Sequence, residues 1–126
     1  CLALILVFNG SWVGDTDKYF AITNSPDRNV AWSHCENHKR GRAWDDQTVL
    51  VAHASVSFSL AHLENDPKMW APAMQSEVCE LWRIPFASLR SVIPHRWRYA
   101  KIAKMPELPE LPPNIFLSEN RMFLQI

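Results

Sequence analysis

Seven consecutive apolar residues, Leu2 to Phe8, stand at the head of the chain and are closed off by Asn9-Gly10. The run is far short of the roughly 20 residues that span a bilayer, and it lacks the basic leader and cleavage pattern of a signal peptide. With no polar alternation, it reads as a strand covered on both faces and ended by a turn. Such a strand forces a layered fold: a sheet with something packed above it and something below.

The remaining pattern supplies the other elements. Gly14 to Pro26 is polar, with Tyr19, Phe20 and Ile22 as its apolar cluster, and Val30-Ala31-Trp32 opens a second strand that runs out near Cys35. Glu36 to Asp46 is charged or turn-forming around Gly41, a connecting loop. Thr48 to Ser55 resumes as strand, with Val49, Val51 and His53 on one face and Leu50, Ala52 and Ala54 on the other, so the two strands form a hairpin. Asp66-Pro67 is a helix start, a capping carboxylate followed by a proline whose missing N–H is harmless there. Trp70, Met74, Val78 and Leu81 then mark one helical face as far as about Trp82. Pro72 is expected to kink this helix or delay its regular part to near Ala73. Leu89 to Ile93 and His95 to Ile102 read as extended, with Pro94 forcing an edge or a bend. Residues 105–113 hold four prolines and form a stiff, extended surface connection. Asn114 to Ser118 and Met122 to Ile126 suggest a final hairpin. The sum is an α+β chain with a mainly antiparallel or mixed sheet of about five to six strands and one principal helix, about 67–82.

Composition limits what such a chain can do. Its 126 residues are about one domain, and 48% apolar with 21% charged residues is globular composition. Thirteen basic side chains balance thirteen acidic ones, so no whole-chain field attracts nucleic acid or an anionic membrane. Cys1, Cys35 and Cys79 are an odd number without a Cys-x-x-Cys pair, which argues against a secreted disulfide framework and for a reducing cytoplasm. Both ends fall inside apolar runs, so the chain is expected to be a piece of something longer, with sheet edges and apolar surface that favour self-association.

Several chemistries compete for the polar residues. Ser33-His34-Cys35-Glu36-Asn37-His38 places two imidazoles and a thiol close together, as zinc prefers, but no second cluster at regular spacing completes a metal site. Cys35 or Cys79 beside a histidine suggests a nucleophile pair, although Cys79 falls mid-helix where packing is the usual fate. No Gly-x-Ser-x-Gly elbow, phosphate loop, Gly-x-Gly-x-x-Gly fingerprint or His-Glu-x-x-His helix occurs, and no catalytic residue is assigned. Arg83, Arg90, Arg96, Arg98, Lys101 and Lys104 form a basic series with no carboxylate between Glu80 and Glu107. Interleaved with Trp97 and Tyr99, the basic and aromatic strand 95–101 suits a non-enzymatic binding module for single-stranded nucleic acid or a protein partner. As a strand, His95 to Ala100 puts His95, Trp97 and Tyr99 on one face and Arg96 and Arg98 on the other. Only one of those faces can line a pocket.

Three blocks carry a family resemblance: Val51-Ala52-His53-Ala54-Ser55, Ser59-x-Ala61-His62-Leu63-Glu64-x-Asp66-Pro67 and His95-Arg96-Trp97-Arg98-Tyr99-Ala100. In order and spacing they resemble the renalase-like flavoproteins, bacterial FAD-dependent oxidoreductases of the amine-oxidase type. The likeness covers most of residues 1–104. Lys39-Arg40-Gly41-Arg42 stands where the family has a Lys-Pro-Gly-Arg loop, Arg40 replacing proline. The resemblance implies that residues 1–126 are a single substrate-binding domain, part of a larger two-domain flavoprotein whose FAD-gripping parts are absent from this chain. It implies oxidation of an amine or reduced nicotinamide by hydride transfer to FAD, with dioxygen as acceptor. Trp97 and Tyr99 would then pack against substrate or flavin, Arg96 or Arg98 would hold a carboxylate, amide or phosphate, and His53 would add a polar contact from the adjacent strand.

Overall fold

A computed structural model describes residues 1–12, 21–39, 41 and 46–98. Among these, five strands form one antiparallel sheet: β1 (Leu2–Asn9), β2 (Ala21–Thr23), β3 (Val30–Cys35), β4 (Gln47–Ala54) and β5 (Leu89–Arg96). Their spatial order is β2-β3-β4-β1-β5. Two helices, α1 (Val56–His62) and α2 (Pro67–Trp82), complete the expected α+β architecture. Tyr99, the proline-rich connection 105–113 and the final hairpin of the sequence reading lie outside the described residues.

The apolar run at the head of the chain becomes β1, flanked by β4 and β5. Leu2, Leu4, Leu6 and Phe8 are fully buried on one face, where α2 lays Trp70, Met74 and Val78 against them and against Leu50, Ala52 and Val30. Burying each large side chain of this kind stabilises the fold by about 1.5–3 kcal/mol. Leu81, the fourth residue of the expected stripe, is only partly buried, and Ala71 and Cys79 widen the buried face instead. Asp66 Oδ1 accepts the Lys68 N–H at 2.8 Å and caps α2, with Pro67 in the first turn. The helix continues through Pro72 and does not start afresh at Ala73. A proline inside a helix costs about 3 kcal/mol. Trp70 and Ala71 before it and Met74 after it are all buried, and their packing holds the helical path.

Pro94 lies within β5, on a sheet edge. Cys1 and Trp97 exchange both backbone hydrogen bonds, at 2.6 and 2.7 Å. Alternation in an antiparallel ladder therefore makes the Leu4–Pro94 pair a non-bonded one, with the Pro94 nitrogen turned away from β1. The strand loses no ladder bond to its proline and runs unbroken from Leu89 to Arg96.

Two elements were not evident from the sequence. The three-residue edge strand β2 pairs Ala21, Ile22 and Thr23 with His34, Ser33 and Trp32. Helix α1 follows β4 directly, its N-terminus capped by the Ser55 hydroxyl, which accepts the Phe58 N–H. The Ser59 hydroxyl accepts the Leu2 N–H at 3.2 Å, and Phe58 and Leu63 pack on the core, so α1 lies on the same side of the sheet as α2. No described helix is long and apolar enough to cross a membrane.

Candidate functional site

Because side chains alternate along a strand and cross-strand partners share a face, the register determines what lies opposite the helices. One row across the sheet reads Thr23, Trp32, His53, Ala3, His95, and the next reads Ala21, His34, Val51, Ile5, Ile93. Val49, Val7 and Ser91 follow. The two described helices both pack on the other side, and Ile5, Val7, Val49 and Val51 remain half-buried. This departs from the reading of β1 as a strand covered on both faces. Its second apolar face is real, but no described helix covers it.

The face has an aliphatic floor and an aromatic rim. Trp32 stacks on His53 with ring centroids 4.6 Å apart and planes 4° from parallel, and on His34 at 4.9 Å and 20°. His95 meets Trp97 edge-on at 4.3 Å. Burial, with His34 close by, pushes the His53 pKa below the ordinary histidine value, so its imidazole is neutral at pH 7. His34 Nε2 lies 2.5 Å from Glu36 Oε1, and Lys39 Nζ reaches the same oxygen at 2.5 Å. This partly buried network fixes one end of the stack. At the other side of the sheet, Glu77 of α2 accepts the N–H groups of Asn29 and Val30, each at 3.2 Å, and the Trp82 indole donates to Ser33 Oγ at 2.8 Å. These three bonds tie β3 and the residue before it to the helix layer and so set where Trp32 stands.

The sequence candidates separate. His53 and Trp97 belong to the open face, Trp97 just past the end of β5 and 52% exposed. Arg96 and Arg98 do not. Arg98 forms a two-pronged pair with Glu64, at 2.7 and 3.1 Å, and Arg96 donates to the Asn65 carbonyl at 2.8 Å with Glu64 at 3.9 Å. These guanidiniums bind the loop between α1 and α2, and the Arg98 pair holds the Glu64 carboxyl below its usual pKa. Tyr99 lies outside the described residues. Trp32 was absent from the sequence candidates, and His34 entered them only as part of a metal cluster. Their alternation in β3, combined with the hairpin register to His53, is the signal that finds them.

The remaining chemistries find little support. Ser33 and Cys35 are buried on the helix side while His34 lies on the open face, so the Cys35 thiol and the His34 imidazole do not converge. Among the described residues no group of three His, Cys, Asp or Glu side chains could hold a metal ion. Burial raises the pKa of both Cys35 and Cys79, the opposite of an activated nucleophile. His62 is engaged locally, its Nδ1 3.1 Å from the Asn65 amide and its ring against Phe58. Compared with known protein families, with curated proteins and with solved structures, the chain matches none.

Proposed function

We propose that the open sheet face is the substrate-facing layer of a renalase-like FAD-dependent oxidoreductase, one that oxidises an amine or reduced nicotinamide with dioxygen as acceptor. The observation that carries the reading is the face itself: aliphatic at its centre, aromatic at its rim and backed by a single helix layer. A flat ring system suits such a surface, because aromatic and aliphatic contact is favourable there. Of the three sequence blocks of the resemblance, the first spans the end of β4 with His53, the second runs from the latter half of α1 through the connecting loop to the first residue of α2, and the third contributes His95 and Arg96 to the end of β5.

The residues present fit the flavin ring and not its phosphates. Ile5, Val51 and His53 offer flat contact, whereas the chain's three glycines, Gly10, Gly14 and Gly41, stand in no phosphate-binding sequence pattern. In this reading a separate dinucleotide fold grips the phosphates. Bound flavin supplies hydride acceptance. The chain's own part is to exclude water from the reacting face and to orient a planar substrate against the Trp32–His53 stack and Trp97. His53 stays neutral and acts as a polar contact. In this reading the free thiols of Cys1, Cys35 and Cys79 support a reducing, cytoplasmic setting.

The test is to express the whole reading frame that contains this chain and record its visible spectrum. Oxidised-flavin bands that bleach under anaerobic addition of an amine or a dihydronicotinamide are expected. A colourless protein, or bands that no such donor bleaches, would overturn the reading. The basic strand as a nucleic-acid module loses ground because Arg96 and Arg98 are bound to the α1–α2 loop.

A further inference from the structure

A groove of about 680 Å³ opens between the β2–β3 turn and α1, within the roughly 300–1,000 Å³ typical of small-ligand pockets. Pro26, Trp32, Val56 and Leu60 form its apolar walls, and Val56 and Leu60 are 55% and 73% exposed. Every polar side chain among its described lining residues is a hydroxyl or an amide, and none of these residues is charged. Backbone bonds fix its shape. The Ser55 N–H donates to the Asn29 carbonyl at 2.7 Å, which joins the α1 side to the turn. The Asn24 N–H and side-chain amide donate to the Ala31 and Val30 carbonyls, each at 2.8 Å, which closes the turn on itself.

This groove continues the open sheet face. Thr23 and Trp32 are cross-strand partners in the first row of that face, and both line the groove. The indole that stacks on His53 therefore ends one surface and begins the other. A planar group laid against the Trp32–His53 stack has the groove beside it for whatever substituent it carries.

The lining decides between the two hydride donors of the flavoprotein reading. A phosphate entering the groove would leave water with no cation among the described lining residues to receive it, a costly exchange. Asp27 and Arg28 of the turn are neighbours of opposite charge and neither lines the groove, while Arg96 and Arg98 are bound to the α1–α2 loop. A hydrocarbon chain instead gains with every methylene it buries against Trp32, Val56 and Leu60.

We propose that the groove holds the substituent of the substrate, and that the substrate is an amine carrying an uncharged aryl or alkyl chain and not a phosphorylated dihydronicotinamide. The assignment of a substrate rests on the flavoprotein reading; the class of ligand rests on the groove alone.

The test titrates the full chain with benzylamine, phenylpropylamine and phenylpentylamine, and with reduced nicotinamide mononucleotide, following the Trp32 indole N–H signal by NMR. Each step of two methylenes should tighten binding on the order of tenfold, and the nucleotide should bind more weakly than phenylpentylamine. Leu60→Asn and Val56→Asn change exposed side chains without adding a charge that attracts the ammonium group, and each should flatten the dependence on chain length. No movement of the Trp32 signal, affinity independent of chain length, an undiminished dependence in both variants, or tighter binding of the nucleotide would overturn the proposal. The two readings fail separately. Length-dependent binding in a parent protein that holds no flavin would overturn the flavoprotein reading and keep the ligand class. A flavin bleached by dihydronicotinamide, with no length dependence here, would overturn the ligand class and keep the flavoprotein.

Discussion

Replacing Glu77 by alanine removes the one helix carboxylate that reaches the start of β3. Glu77 is 8% exposed, and its two oxygens accept the Asn29 and Val30 N–H groups at 3.2 Å each. Val30 is fully buried, so water does not readily take the vacated place. A hydrogen bond to a charged group contributes about 1.5–3 kcal/mol, and a stranded buried donor costs about 1–3 kcal/mol. At 3.2 Å these bonds sit at the long end of the normal range, which selects the lower figures. Two of them make about 3 kcal/mol, a large share of the ~5–15 kcal/mol that holds a domain together. Glu77→Gln keeps one acceptor oxygen and should lose about half as much. Urea unfolding of the full chain, followed by tryptophan fluorescence, measures both, with an unchanged slope showing that only stability has moved. Because β3 carries Trp32, the alanine variant should also weaken the near-ultraviolet circular dichroism of the Trp32–His53 stack. A loss below about 1 kcal/mol in Glu77→Ala would mean that solvent satisfies both donors and that the helix carboxylate is incidental to β3.

Three further outcomes follow from the geometry. The His53 pKa is lowered in the fold, so its contribution to stability is intact above the usual histidine value of about 6.5 and is lost as pH falls through the folded value. Wild-type urea midpoints should therefore drop between about pH 7 and pH 5, and those of His53→Phe should drop less; parallel curves would refute it. Cys35 and Cys79 have raised pKa values through burial, so in a disulfide-exchange assay at mildly alkaline pH the partly exposed Cys1 should react first and the other two only on unfolding. Since Arg96 and Arg98 already bind Asn65 and Glu64, a single-stranded oligonucleotide titrated by fluorescence anisotropy should show no steeply salt-dependent binding. A strong salt slope abolished by Arg98→Ala would restore the basic-strand reading.

The elements visible in the sequence were those whose periodicity is long and unmixed. Leu2 to Phe8, the alternating Thr48 to Ser55 and the Trp70, Met74, Val78 stripe each appear as β1, β4 and α2 with boundaries close to those expected. Helix α1 was hidden because Ser-Val-Ser-Phe-Ser-Leu alternates like a strand; only the Ser55 cap, with Phe58 three residues on, betrays it. β2 has three residues and no room for a pattern. Pro72 misleads by local propensity, which the burial of its neighbours overrides. For the candidate site, alternation within His95 to Arg98 separated aromatic from basic side chains correctly. The Trp32–His53 contact depends on the register between two strands, and no single stretch of sequence contains that information.

Pro94 has a meaning beyond its own strand. Val92, Pro94 and Arg96 point their backbone outward from β5, and the middle one has no hydrogen to give. A foreign strand laid along this edge would lose its central bond and face the bulk of a pyrrolidine ring. Fibril growth and strand exchange are thereby discouraged along the longer of the two sheet edges among the described residues. Any larger assembly built around this chain is steered to broad side-chain contact across the sheet and away from backbone polymerisation.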